Sequence, residues 1–146
     1  MVSLDLASYT VVEQSHALLE MLVDRYVDVL IANEDEARAY TGESDEEIAL
    51  ERLAEQTETA VLKLGARGSI IARGGEVVRV APAGSDGVID TTGAGDLWAA
   101  GFLYGLVHDL PLEQCGKIAS ACGYEACRVV GAVIPEEGWQ RIKALL

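Results

Sequence analysis

Cations are scarce in this chain. Lys and Arg number 11 against 24 Asp and Glu, a formal net charge of −13, so most of the surface repels phosphate backbones and acidic lipid headgroups. This argues against nucleic acid and against membrane surfaces as partners. Long apolar runs are also missing. The longest mostly apolar stretch, residues 97–107, falls short of the roughly 20 residues a membrane-spanning helix needs. No charged-then-apolar leader follows Met1, and the expected compartment is the cytoplasm. Cysteine is limited to Cys115, Cys122 and Cys127, whose spacings of seven and five fit neither CxxC nor a zinc pattern. On a helix Cys115 and Cys122 share a face, which suits reduced thiols acting as small buried apolar residues. His16 and His108 are the only histidines; one lies in an amphipathic pattern and the other at a helix end, positions of surface or capping residues.

Apolar residues are not scarce. They make up 50% of the 146 residues, with a mean hydropathy of +0.20, enough for a single domain over 1–146 with a real core. Residues 2–6 alternate like a strand, and Ala17, Leu18, Met21 and Leu22 recur at helical spacing. Residues 27–32 read as a second strand, ended by Asn33 where Glu34-Asp35-Glu36 opens a helix by N-capping and favourable charge. Ser44-Asp45-Glu46-Glu47 reads as a capping box for a further helix. A buried strand over 59–64 turns through Gly65-Ala66-Arg67-Gly68 into a strand over 69–73, and Gly74-Gly75 suits a tight hairpin into 76–80. After a loop over 81–89 the chain reads as helical: 95–107, 112–130 and a terminal helix after Pro135. The expectation is an α/β fold, a mainly parallel sheet covered by helices, with an antiparallel hairpin and a helical C-terminal part.

The segment that carries chemistry is Asp90-Thr91-Thr92-Gly93-Ala94-Gly95-Asp96. Its glycines let backbone N–H groups converge, and the helix that begins there points its positive end at whatever those groups hold. An anion belongs at that spot. The helix is apolar on nearly all sides, so it is expected to be buried, fixing its N-terminus. Asp96 in the first turn is placed to accept a proton from an attacking hydroxyl. Taken alone, the same residues also suit an ordinary loop with a capping Asp, and Asp90 a solvated turn. Neither the P-loop pattern nor GxGxxG is present to explain the cluster.

This seven-residue run resembles the C-terminal signature of the ribokinase-like (PfkB) carbohydrate and nucleoside kinases. Ile31-Ala32-Asn33-Glu34-Asp35-Glu36 is similar to the family's Asn-x-x-Glu element, and Leu62-Lys63-Leu64-Gly65-Ala66-Arg67-Gly68-Ser69 to its nucleotide-side strand and turn. Gly131-Ala132 stands before the last helix, as in the family, and the run after Asp96 is closest to the bacterial adenosine-kinase-like branch. The resemblance implies phosphoryl transfer from ATP to a hydroxymethyl hydroxyl of a small sugar or nucleoside. Asp96 would be the catalytic base, and Gly93, Ala94 and Gly95 an anion hole for the moving phosphate. Asn33, Lys63, Gly65, Gly68, Ser120 and Gly131 would bind ATP, with adenine near 119–122 and 131–133. Asn33 and Glu36 would hold Mg²⁺ through water, and Asp90 a monovalent cation. Without the family, Asn33 is a helix cap, Glu36 a surface charge and Gly65 and Gly68 turn residues.

The resemblance also has departures. Ser120 stands where many members carry Asn. Members are about twice as long, and the strands, lid and sugar-gripping residues of their first half have no counterpart here, so the expected fold is a partial, nucleotide-side one. Sheet edges and apolar faces left by that half would invite a second copy or a complementary N-terminal half.

Overall fold

The computed structural model describes residues 1–146. In chain order its elements are β1 (Ser3–Asp5), α1 (Tyr9–Tyr26), β2 (Val29–Asn33), α2 (Glu34–Thr41), α3 (Glu46–Ala54), β3 (Thr59–Lys63), β4 (Ser69–Arg73), β5 (Glu76–Val80), α4 (Ala94–Val107), α5 (Leu112–Ala126) and α6 (Glu136–Lys143). The strands form one sheet in the order β1-β2-β3-β4-β5. β1, β2 and β3 are parallel, with Leu4 beside Leu30 and Leu30 beside Ala60. A turn of 3-10 helix, Gly65–Arg67, leads from β3 to β4, and Gly74-Gly75 joins β4 to β5. Links this short join antiparallel neighbours, because a parallel crossover takes about a dozen residues or more. The expected parallel sheet, hairpin and helical C-terminal part are all present. No helix is long and apolar enough to cross a membrane.

Two compact units divide the chain, one formed by residues 1–65 and 70–78, the other by 66–69 and 79–146. In the first, β2 and β3 are buried at every position but the last, the pattern of parallel strands covered on both faces. Leu30, Leu53, Leu62 and Ile70 pack with Val12 and Val23 of α1. His16 is more than a surface residue: its Nε2 lies 2.8 Å from the Tyr40 carbonyl and its ring stacks on Tyr40, tying α1 to α2. The capping box expected at Ser44 is absent. Asp45 caps α3, accepting from the Glu47 and Ile48 amides, because its carboxylate sits one residue nearer the orphan N–H groups.

In the second unit α4 and α5 approach closely. A methyl group added at Gly105 would lie 2.8 Å from the Cys115 Cα, and one at Gly101 would lie 3.0 Å from the Ala119 Cα. Small residues therefore set the helix separation, and Cys115 and Cys122 are buried as expected, with burial pushing the Cys122 thiol up to about 11. Two expectations fail here. The face of α4 bearing Ala100, Tyr104 and Val107 is exposed, because α5 covers only the glycine-bearing side. α5 ends at Ala126, not near Val130, as the Cys127 carbonyl accepts instead from the Ile89 and Asp90 amides.

Glu125, 4% exposed, anchors α6 to α5. Its carboxylate accepts from Arg141 Nε and Nη2, both at 2.6 Å, with Arg128 Nη1 at 3.5 Å. The Arg141 hydrogen bonds hold this carboxyl below its ordinary value of 4.5, outweighing the opposing effect of burial. The folded chain thus releases this proton more readily than the unfolded one. The resulting stability is full above the ordinary value and is lost as pH falls through the lowered one. Arg141→Gln is expected to flatten the acid limb of stability against pH; urea denaturation of both forms from pH 7 to pH 3 checks this, and identical slopes would refute it.

Candidate functional site

The first unit gathers its polar groups at the carboxyl ends of the parallel strands, the end where open α/β sheets receive ligands. Asn33 finishes β2 and caps α2 in a full capping box. Its Oδ1 accepts from the Glu36 amide at 2.9 Å, while its own N–H and Nδ2 donate to Glu36 Oε2 at 2.8 Å and Oε1 at 2.7 Å. Without the family, the sequence read Glu36 as a surface charge. It is instead 4% exposed, and desolvation, only partly offset by the Asn33 amide and Lys63, raises its pKa. Beside Asn33 in the register, Lys63 ends β3 and reaches Asp5 Oδ2 at the end of β1, 2.7 Å away. Asp5 was missed in the sequence. The signal was an acid in Leu4-Asp5-Leu6 at a strand's carboxyl end, and its Oδ1 also accepts from the amide of Ala7, a non-glycine residue with φ 60°.

The second unit holds the glycine cluster. Gly93, φ 74°, is the N-cap of α4, and a methyl group added to it would lie 2.3 Å from the Ala132 Cβ. The position therefore demands glycine twice, for its left-handed backbone and for the close approach of Ala132. From it α4 starts at Ala94, so the N–H groups at 94–96 belong to the first turn, which the helix's own carbonyls do not satisfy; that of Ala94 reaches the Thr91 carbonyl at 3.1 Å. Gly95 and Asp96 are exposed there. Asp90 is a partly exposed residue outside any helix or strand, and it is more than a solvated turn. Its Oδ1 accepts from the Thr92 amide and hydroxyl at 2.9 and 2.7 Å, and its Oδ2 from the Gly131 amide at 2.9 Å. These bonds, Gly131's foremost, hold its carboxyl below the usual range.

Gly68, φ 91°, lies against β5, where an added methyl group would meet the Val80 carbonyl oxygen. Ser120 is buried on α5, accepting from the Ala83 amide at 2.8 Å and donating to the Ala81 carbonyl at 3.3 Å. With Tyr124, whose hydroxyl donates to the Asp86 carbonyl at 2.8 Å, it fastens the 81–89 loop to α5. A cavity of 440 Å³ opens between 81–83, α5 and α6. Within the first unit the structure brings Asn33, Glu36 and Lys63 together; within the second it brings Asp90, Gly93 and Gly131 together.

Residues 6–138, which include both of these clusters, match the family model described as "pfkB family carbohydrate kinase". The chain belongs to the pfkB family. Among solved structures, a probable sugar kinase from Rhizobium etli CFN 42 is 31% identical, with a TM-score of 0.93 over 99% of this chain and 44% of its own. The adenosine kinase from Sinorhizobium meliloti is 33% identical, with a TM-score of 0.90 over 97% of this chain and 44% of its own. The ribokinase from Thermotoga maritima, at 22% identity and a TM-score of 0.80 over 99% of this chain and 49% of its own, shares the fold. The chain thus spans less than half the length of each of these proteins.

Proposed function

We propose that this chain carries the nucleotide side of an ATP-dependent kinase, one that transfers a phosphoryl group to a hydroxymethyl hydroxyl of a sugar or nucleoside. The observation that carries the reading is the start of α4, where the left-handed Gly93 opens the helix and Gly95 and Asp96 stand exposed in its first turn. Such a helix start receives an anion, and Asp96 is within its first turn to take the proton that the acceptor hydroxyl loses as its oxygen attacks. The Gly93, Ala94 and Gly95 backbone steadies the charge that spreads over the moving phosphate. Gly65 and Gly68 let the backbone approach the nucleotide, Lys63 adds a cation at the strand ends, and adenine lies near Ser120 and Gly131.

The residues present fit Mg²⁺. Asn33 and Glu36 offer hard oxygens, and since each Glu36 oxygen already accepts one hydrogen bond, they suit a hydrated ion held through its water. When bound, Mg²⁺ neutralises phosphate charge, which matters in a chain of net charge −13. Asp90 is a candidate for a monovalent cation through the lone pairs its three hydrogen bonds leave. The expected setting is the cytoplasm.

The chain spans less than half the length of these proteins, and a second reading is a nucleotide-binding module, or half of a split kinase that a complementary N-terminal half or a second copy completes. Calorimetric titration of the chain with ATP, with and without Mg²⁺, tests the nucleotide side. Saturable, Mg²⁺-dependent binding near one site per chain is expected, and a folded chain that binds none overturns it. Phosphotransfer to adenosine and simple sugars, with and without an N-terminal half from a relative, then separates the two readings.

A further inference from the structure

Three donors converge on the Asp90 carboxylate, and one comes from 41 residues away: Oδ1 holds the Thr92 amide and hydroxyl, and Oδ2 holds the Gly131 amide. The Ile89 and Asp90 amides, at 2.7 and 3.3 Å from the Cys127 carbonyl, tie the same two segments a second time. The turn thus captured has little else to hold it. It lies in no helix or strand, and its flanking Val130 and Val133 are 78% and 58% exposed, contributing almost no apolar burial. Next to Gly131, Ala132 stands against Gly93, with its Cα 3.0 Å from where a Gly93 methyl would be. Ala132 is therefore the wall that Gly93's left-handed backbone turns against, and the direction of that turn aims the first N–H groups of α4.

We propose that Asp90 is the positioning residue of the anion hole, fixing the 93–95 backbone through the Gly131-Ala132 turn. This rests on the nucleotide reading above and adds to it the means by which the hole keeps its shape. A carboxylate suits the task because both oxygens accept. An amide in its place keeps Oδ1 for Thr92 but turns an N–H toward the Gly131 N–H, breaking only the long-range link.

The test is calorimetric binding of ATP and of AMP, both with Mg²⁺, to wild type and Asp90→Asn, with amide hydrogen exchange followed at Gly131. AMP carries the base without the terminal phosphates. Asp90→Asn is expected to lose about tenfold more affinity for ATP than for AMP, with faster exchange at Gly131. A merely structural role would weaken both ligands alike, and that result, or unchanged ATP affinity, overturns the proposal. Ala132→Gly, which removes the wall and leaves the clamp, serves if Asp90→Asn does not fold. It is expected to show the same ATP-selective loss, and wild-type ATP affinity in it also overturns the proposal. If wild type binds neither nucleotide, the nucleotide reading itself fails.

Discussion

Asp96→Asn is expected to bind Mg²⁺-ATP with affinity equal to wild type or tighter, and to transfer its phosphoryl group about 10³-fold more slowly. The side chain sits exposed in the first turn of α4, where the proposed acceptor hydroxyl must shed its proton. Asparagine keeps the shape and removes the base, a loss of about 4 kcal/mol of transition-state stabilisation. Binding does not suffer, since a negative charge beside the phosphates is gone. The favourable interaction of an acid with the helix N-terminus is lost too, about 0.5 kcal/mol, too little to unfold the chain. Rates are to be measured in whichever form transfers phosphate, the chain alone or joined to an N-terminal half. A variant as fast as wild type would remove Asp96 from the chemistry.

Gly93→Ala is expected to damage both stability and binding. At φ 74° any side chain is strained, and here the new methyl would sit 2.3 Å from the Ala132 Cβ. Left-handed strain and overpacking together should cost about 3 kcal/mol. Relief requires the start of α4 to shift, which misaims the N–H groups, so ATP affinity should fall about 100-fold. Adding Ala132→Gly relieves the contact but not the backbone strain, so denaturation should show stability returning only in part. If Gly93→Ala alone binds ATP normally, the 93–95 backbone is not an anion site.

Local chemistry explains what was legible in the sequence. β2 and β3 announce themselves as short apolar runs and β1 by alternation, and the glycine pair at 74–75 could serve little but a hairpin. Asn33 was readable as a cap because capping depends on residues within one helical turn. The same locality misled at Ser44, where Asp45 competes for the same amides one residue on, and at the end of α5. That helix stops because segment 89–90 binds the Cys127 carbonyl, a partner no window of the sequence contains.

The sequence by itself determined the order of elements, the family and the place of the glycine cluster at the head of α4, because periodicity, turn chemistry and a contiguous seven-residue signature are properties of neighbours along the chain. Tertiary structure alone decided the rest. It buried Glu36 in its box with Asn33, paired Lys63 with Asp5 across 58 residues, and turned Asp90 from a turn residue into the clamp on Gly131. Each of those depends on which strand ends and loops are brought within about 3 Å of one another, a distance that the packing of the sheet and helices sets and that no local pattern encodes.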